Sequence, residues 1–316
     1  MIFTAKAPGK IIIAGEHFVV HGSFALAAAI DRGAIVRASL TDRSLIYSKK
    51  LGLTAEIPNK VPYRLAPLAE ALKATLNYLE ERRGVKIEME SYLPVSAGLG
   101  SSAAGSVALV AAASSALGHT LKKEEITNLA MVSEKIIHGN PSGIDPAIAT
   151  QGGVMLFKKG MFQRPIKLET PLDFIVCFSG SGQSTSKMIR KFAQSKYASP
   201  STFKALVDSS SKLVETAASA LATGDIKLLA SILNFNHTVL SSLGVSSNRL
   251  NALVESALKA GCHGAKMTGG GGGGCIIALP RSGEAHNVLE KISKNVVEAW
   301  QVRIPKTGVS VRRDKE

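Results

Sequence analysis

Long apolar runs are missing from this 316-residue chain. No segment contains 18 uninterrupted apolar residues, so a membrane span is not expected. Lys6 and Lys10 interrupt the apolar residues near the start, and no secretory signal is visible there. Cysteine is also scarce: Cys177, Cys262 and Cys275 lie far apart, match no metal-binding spacing and suit buried thiols in a reducing cytosol. We therefore expect a cytoplasmic protein with no membrane partner.

Aromatic residues make up only 5% of the chain, whereas Lys and Arg exceed Asp and Glu by 14. A basic surface attracts acidic ligands, and nucleic acid and a nucleoside triphosphate are both candidates. The basic residues are dispersed apart from short pairs such as Lys49-Lys50. So few aromatic side chains offer little for single-stranded bases to stack on. We therefore expect no nucleic-acid partner.

The length and the hydrophobic fraction of 45% indicate two well-packed domains. Sheet and helix patterns alternate up to about residue 157, and the composition shifts after residue 172, so we place the domains at 1–165 and 166–316. Hydrophobic periodicity predicts helices at 62–83, 103–117, 121–138, 246–260 and 284–300, with three more helical segments between 186 and 243. Alternation predicts a strand pair at 35–47 and strands at 85–92, 154–157, 174–178, 276–279 and 302–311. Pro8-Gly9 predicts a turn between two initial strands.

The stretch Pro94-Val-Ser-Ala-Gly-Leu-Gly-Ser-Ser-Ala-Ala104 is the most informative part of the chain. Its glycines allow the backbone to approach a ligand, and a predicted helix follows at once. Unpartnered amides and the helix dipole at such an N terminus form an anion site, for which phosphate is the favoured ligand. The serine hydroxyls are also placed to reach a metal ion carried by phosphates. The alternative is a serine-capped helix after a tight turn.

Six consecutive glycines, Gly269 to Gly274, separate Thr268 from a predicted strand. Ordering such a run costs much backbone entropy, so either a ligand lies close to it or it is a mobile surface loop. A second loop that closes over the phosphates would fit the first loop and favours the ligand. Neither loop matches the patterns of P-loop NTPases or dinucleotide-binding folds.

Polar residues inside apolar surroundings complete the candidate site. Lys10 is either a solvated strand-end lysine or a site cation, and Glu16-His17 forms either a surface turn or the lining of a pocket for a small polar substrate. Glu134 lies on a predicted helix, and Asp145 lies among apolar residues. The two are either paired structural groups or carboxylates with separate tasks, one holding Mg²⁺ and one taking a proton.

These segments resemble the three motifs of the galactokinase, homoserine kinase, mevalonate kinase and phosphomevalonate kinase (GHMP) superfamily. The motifs are Ala7-Pro-Gly-Lys-Ile-Ile-Ile-Ala-Gly-Glu-His17, the Pro94–Ala104 stretch and Lys266-Met-Thr-Gly-Gly-Gly-Gly-Gly-Gly-Cys275. Residues 15–22 and 138–145 are similar to the mevalonate kinases in particular. The resemblance implies an α+β fold with two domains and the site in the cleft between them. The N-terminal α/β domain would be of the ribosomal protein S5 domain 2-like type and the C-terminal domain ferredoxin-like.

The resemblance also implies transfer of the ATP γ-phosphate to the C5 hydroxyl of mevalonate. Asp145 would accept the hydroxyl proton, Lys10 would stabilise the emerging alkoxide, and Glu134 and Ser102 would hold Mg²⁺. Glu16 and His17 would bind mevalonate. The residues implied in ATP binding are Pro94, Ser96, Ala97, Gly98, Leu99, Gly100, Ser101, Ser102, Ala103 and Ala104.

Thr268 would lie near the carboxylate end of mevalonate. Relatives are often homodimers, so a homodimer is a further expectation. The alternative within the superfamily is a kinase for phosphomevalonate, homoserine or a sugar.

Overall fold

The computed structural model of the protein describes residues 1–160, 162–180, 199–293 and 296–314. Its strands are β1 Ile2–Ala14, β2 Phe24–Thr41, β3 Ser44–Ser48, β4 Leu53–Ile57, β5 Gly84–Ser91, β6 Val154–Lys158, β7 Phe162–Ile166, β8 Asp173–Phe178, β9 Gly264–Thr268, β10 Cys275–Leu279, β11 Glu298–Arg303 and β12 Ser310–Arg313. Its helices are α1 Ala66–Tyr78, α2 Ser101–Ala116, α3 Lys123–His138, α4 Ile144–Gln151, α5 Pro200–Thr223, α6 Ile226–Ser242, α7 Asn248–Lys259 and α8 Ala285–Ser293. Short 3₁₀ turns cover Phe18–His21 and Tyr63–Leu65.

The first sheet has the strand order β12-β1-β2-β5-β3-β4, and β6 joins it through β2 and pairs with β7. Helix α2 packs on this sheet and is surrounded by α1, α3 and α4. Every residue of α2 from Ala103 to Ser114 is buried, as expected of a helix that is apolar all round. Packing on all sides therefore fixes the orientation of α2 on the first sheet, and its N terminus points towards the middle of β1.

The second sheet is antiparallel, with the order β11-β8-β10-β9, and α6 and α7 pack against β9. One hydrophobic cluster contains Ile11 of β1, Val176 of β8 and Ile277 of β10, so the two sheets share part of their core. Mixed sheets with helices confirm the α+β class. None of the described helices has the length and apolar character needed to cross a membrane.

Two predicted helices are wrong in their extent. The predicted helix 62–83 ends at Tyr78, because Glu80 adopts a left-handed backbone and Gly84 already begins β5. The predicted helix 284–300 is helix α8 followed by β11, whose Trp300 and Val302 are buried in the second sheet. Tertiary packing of these β-prone side chains outweighs the helical pattern.

The predicted turn at Pro8-Gly9 is also wrong, because β1 continues through these residues with a shift in its register to β2. A side chain at Gly9 would meet Leu93 Cδ1 at 2.6 Å and the Leu99 carbonyl oxygen at 2.8 Å. The glycine thus serves the close approach of a loop rather than a reversal of the chain.

The chain beyond residue 166 does not stay in the second sheet, since β12 pairs with β1. The domain boundary near residue 165 stays a prediction. The helical segment predicted from residue 186 up to Pro200 falls almost wholly outside the described residues, while the two that follow it correspond to α5 and α6.

Candidate active site

The N terminus of α2 is built by the Gly/Ser loop of residues 94–100. Gly100 precedes the helix in a left-handed conformation with φ 72°, and its carbonyl oxygen accepts the amide of Ala104 at 2.9 Å. Among the described residues no side chain caps this helix, so the alternative of a serine cap is not observed. The first-turn amides and the helix dipole are therefore free to serve an anion.

The same loop lies directly on β1. The amide of Lys10 donates to the Leu99 carbonyl oxygen at 2.9 Å, next to the close contact at Gly9. Ala97, Leu99, Ala103 and Ala104 are buried apolar residues. These four can therefore meet a ligand through backbone atoms alone.

The serines of the loop and of the first turn of α2 differ in their surroundings. Ser96 is exposed, whereas Ser101 and Ser102 are half-buried. The hydroxyl of Ser101 lies 3.0 Å from that of Ser91, and the hydroxyl of Ser102 is hydrogen-bonded to the carboxyl group of Glu134. Of the loop serines, Ser102 thus lies beside a candidate metal-binding carboxylate.

Lys10 and Asp145 meet, although 134 residues lie between them. The Lys10 Nζ atom is 3.4 Å from Asp145 Oδ1, and the side chains are 6% and 24% exposed, respectively. Gly100 lies against both residues: a Cβ there would be 2.9 Å from Lys10 Cγ and 3.5 Å from Asp145 Oδ2. The lysine stem therefore passes over the α2 N terminus to reach a carboxylate that remains partly accessible.

Asp145 lies in the first turn of α4, and Glu134 lies on α3, close enough for the Asp145 carboxylate to affect the pKa of Glu134. Burial and the neighbouring Asp145 carboxylate raise the pKa of Glu134 to about 7, against the lowering effects of the Ser102 hydrogen bond and of Lys10. The Nε2 atom of His138 lies 3.6 Å from Glu134 Oε2, one helical turn away. Two carboxylates, one lysine and one hydroxyl thus converge at the N terminus of α2.

This donor set fits a magnesium ion that is carried mainly by phosphates. The described part of the chain contains no cluster of three or more His, Cys, Asp or Glu side chains suited to a metal. Mg²⁺ in nucleotide sites, however, takes one or two protein oxygens and completes its shell with phosphate and water. Glu134 and Ser102 supply such a carboxylate and hydroxyl, and the costly ionised form of buried Glu134 would be favoured by a cation.

The predicted substrate residues lie at the junction of β1 and β9. Glu16 is buried and forms an ion pair with Lys266, which begins the third motif but was not predicted to have a role in the site. The imidazole of His17 lies beside the backbone of Gly270, and burial lowers the pKa of this histidine to about 4. The Thr268 hydroxyl accepts the Ile12 amide at 2.8 Å. The structure thus brings Glu16, His17 and Thr268 together, and their contacts with a substrate stay predictions.

The glycine run packs against the Gly/Ser loop. A Cβ at Gly269 would lie 2.8 Å from the Cα atom of Gly98, and one at Gly274 would lie 2.8 Å from the Ala97 carbonyl oxygen. All six glycines except Gly270 are buried. The run is therefore not a surface loop, and part of it lies against a second backbone; a ligand close to it stays a prediction.

Comparisons with known proteins agree with this arrangement. The family described as GHMP kinases N terminal domain matches residues 66–153, and the one described as GHMP kinases C terminal matches residues 217–298. A mevalonate kinase of Thermococcus sibiricus is 37% identical, with 87% of this chain and 88% of the relative covered. A mevalonate kinase of Aeropyrum pernix is 35% identical, with 96% of each covered.

Solved structures give the same result. The mevalonate kinase of Methanococcus jannaschii superposes with a TM-score of 0.83 at 28% identity, over 96% of this chain and 98% of the other. The L. major mevalonate kinase, crystallised in complex with R-mevalonate, superposes with a TM-score of 0.82 at 28% identity, over 95% and 94%. With its two sheets, its phosphate-suited helix N terminus and these relatives, the chain belongs to the GHMP kinases and, within them, to the mevalonate kinase family.

Proposed function

We propose that this protein transfers the γ-phosphate of ATP to the C5 hydroxyl of mevalonate. The observation that carries the proposal is the Lys10–Asp145 ion pair at the N terminus of α2. It places a cation and a partly accessible carboxylate beside a helix end suited to phosphate. The choice of mevalonate as the substrate rests on the relatives, which are mevalonate kinases. The choice of phosphoryl transfer as the reaction rests on the charged cluster at a phosphate site.

In the proposed reaction the loop of residues 94–100 and the first amides of α2 hold the phosphates of ATP. Asp145 accepts the proton of the substrate hydroxyl while the oxygen of that hydroxyl forms a bond to the γ-phosphorus. The bond between that phosphorus and the bridging oxygen breaks, and ADP leaves with the electron pair. Lys10 stabilises the negative charge that develops on the attacking oxygen, since a lysine fixed in a poorly solvated site acts strongly on nearby charge.

Magnesium is the proposed metal, and Glu134 and Ser102 would hold it. When bound, the ion would neutralise negative charge on the phosphates. His17 and Thr268 belong to the proposed mevalonate-binding region, at the junction of the two sheets. A homodimer and a cytoplasmic location also stay proposals.

A panel of acceptors tests the function. The purified protein is incubated with Mg·ATP and with mevalonate, phosphomevalonate, homoserine or galactose, and ADP formation is measured. We expect mevalonate to have the highest kcat/KM. Faster turnover of another acceptor would contradict the assignment and favour a different activity within the same superfamily.

A further inference from the structure

A buried ion pair next to the site has no part in the reaction as described. Lys266 lies within β9 and Glu16 lies two residues beyond the end of β1, and both side chains are at most 1% exposed. The Lys266 ammonium contacts the Glu16 carboxylate and donates to the carbonyl oxygens of Met267 at 2.6 Å and Ile12 at 3.3 Å. Buried charges persist only where partners of this kind compensate their desolvation.

The pair joins two segments that both lead into the site. After Glu16 comes His17, which has a positive φ of 63° and lies beside the backbone of Gly270. After Lys266 comes Thr268, whose hydroxyl bonds to the amide of Ile12, and then the glycine run. Lys266 and Thr268 therefore fasten β9 along the end of β1, directly behind the turn that carries His17.

The two partners differ in how firmly the backbone holds them. Lys266 is paired with Ile277 of β10 in the second sheet, and the amide of its neighbour Met267 donates to Nδ1 of His237 on α6 at 3.3 Å. Glu16 belongs to no sheet and lies in the short turn between β1 and the 3₁₀ turn at Phe18. The lysine is thus the fixed anchor, and the turn is the part that would move if the pair were broken.

We propose that Lys266 and Glu16 are a positioning pair, which holds the His17 turn in place for the substrate, and that Glu16 acts through Lys266 without touching the substrate. This inference rests on the proposed function for its kinetic test. It differs from the expectation that Glu16 is itself a substrate ligand, because the Glu16 carboxylate is paired with Lys266 and its side chain is only 1% exposed.

A double-mutant cycle in the full-length protein tests the pair, with Glu16→Gln, Lys266→Met and the combined variant. If Glu16 acts only through Lys266, each variant raises the KM for mevalonate by the same factor, about tenfold, and the double variant is no worse than Lys266→Met alone. The KM for ATP stays near the wild-type value. The matched control is Glu255→Gln with Lys259→Met, which removes an exposed pair on α7 and leaves both KM values unchanged.

Further loss on adding Glu16→Gln to Lys266→Met, to about a hundredfold, would overturn the inference, because it would mean a separate contact between Glu16 and substrate. A wild-type KM for mevalonate in Lys266→Met would overturn it as well. If either single variant fails to fold because a buried charge is left unpaired, the neutral double variant decides: it is expected to fold and to keep the raised KM. A folded double variant with wild-type KM would refute the positioning role.

Amide hydrogen exchange makes the test independent of the reaction. In the double variant, peptides covering residues 15–19 should exchange faster than in the wild type, while β10 stays protected. Equal exchange of the turn would refute the inference even if mevalonate proved not to be the substrate. Conversely, a wild-type protein inactive towards mevalonate but with a loosened turn in the variant would refute the proposed function alone.

Discussion

Replacing Gly100 by alanine separates the strain of a left-handed residue from damage to the active site. Gly100 has a φ of 72°, and an added Cβ would lie 2.9 Å from Lys10 Cγ, closer than real Cβ atoms approach. The lysine stem has to move, and with it the Nζ atom that now lies 3.4 Å from Asp145 Oδ1. We expect Gly100→Ala to lose activity through this displacement.

The expected magnitudes follow from two separate effects. A residue with a side chain in the left-handed region loses about 1–2 kcal/mol of folding stability. A shift of about 1 Å at a group that acts on the reacting atoms lowers the rate by about 10²-fold. Gly100→Ala should therefore show a melting temperature a few degrees lower and a kcat reduced by about two orders of magnitude.

Gly118 provides the matched control. It follows α2 with a φ of 89°, and an added Cβ would meet no atom within 4 Å. Gly118→Ala should lose similar stability in thermal melts while kcat in the ADP-release assay stays near the wild-type value. The reasoning would be refuted if Gly100→Ala kept its kcat, or if Gly118→Ala lost as much activity.

Three further outcomes are expected. Asp145→Asn should lower kcat by about 10²–10⁴-fold while equilibrium titration still detects ATP binding, and near-normal turnover would mean that the proton leaves by another route. Ser102→Ala should weaken the activation by Mg²⁺ at fixed ATP, and an effect confined to the mevalonate KM would contradict its proposed contact with the metal. Burial lowers the pKa of His237 from 6.5 to about 4. Between these two pH values the unfolded chain therefore binds more protons than the folded protein, so the free energy of unfolding falls as the pH drops from 6.5 to 4. This group contributes a slope of at most about 1.4 kcal/mol per pH unit. The free energy of unfolding is measured by urea titration at several pH values. Its dependence on pH should be weaker in His237→Asn and unchanged in the exposed control His286→Asn. An equal pH dependence in all three proteins would exclude His237 as the cause.

Local sequence patterns predicted many of the helices and strands. The apolar run after Ser102 predicted α2, and the alternation around Ile87 predicted β5. Both patterns are visible because the spacing of apolar residues along the chain reflects which faces of an element are buried. Element ends were less predictable. Tyr78 ends α1 although the helical pattern continues beyond it, because Glu80 adopts a left-handed backbone and the Glu81 amide bonds back to the Leu76 carbonyl oxygen.

The meeting of Lys10 and Asp145 was expected from the resemblance and is now seen as a direct ion pair. The partner of Glu16 was not foreseen. Lys266 stands in an apolar strand, and a lysine there signals a buried partner, but no local pattern identifies that partner 250 residues away. A ligand was predicted close to the glycine run, and the fold in addition places the backbone of residues 97–98 against it, which no local pattern indicated.

The pairing of β12 with β1 has a consequence for biosynthesis. Residues 310–313 are synthesised long after residues 3–6, yet they cover the edge of β1 along these residues. Until they emerge, the nascent first half presents an unpaired strand edge, the kind of surface on which chains associate wrongly. A gene truncated after codon 165 should therefore yield aggregates rather than a free-standing nucleotide-binding unit.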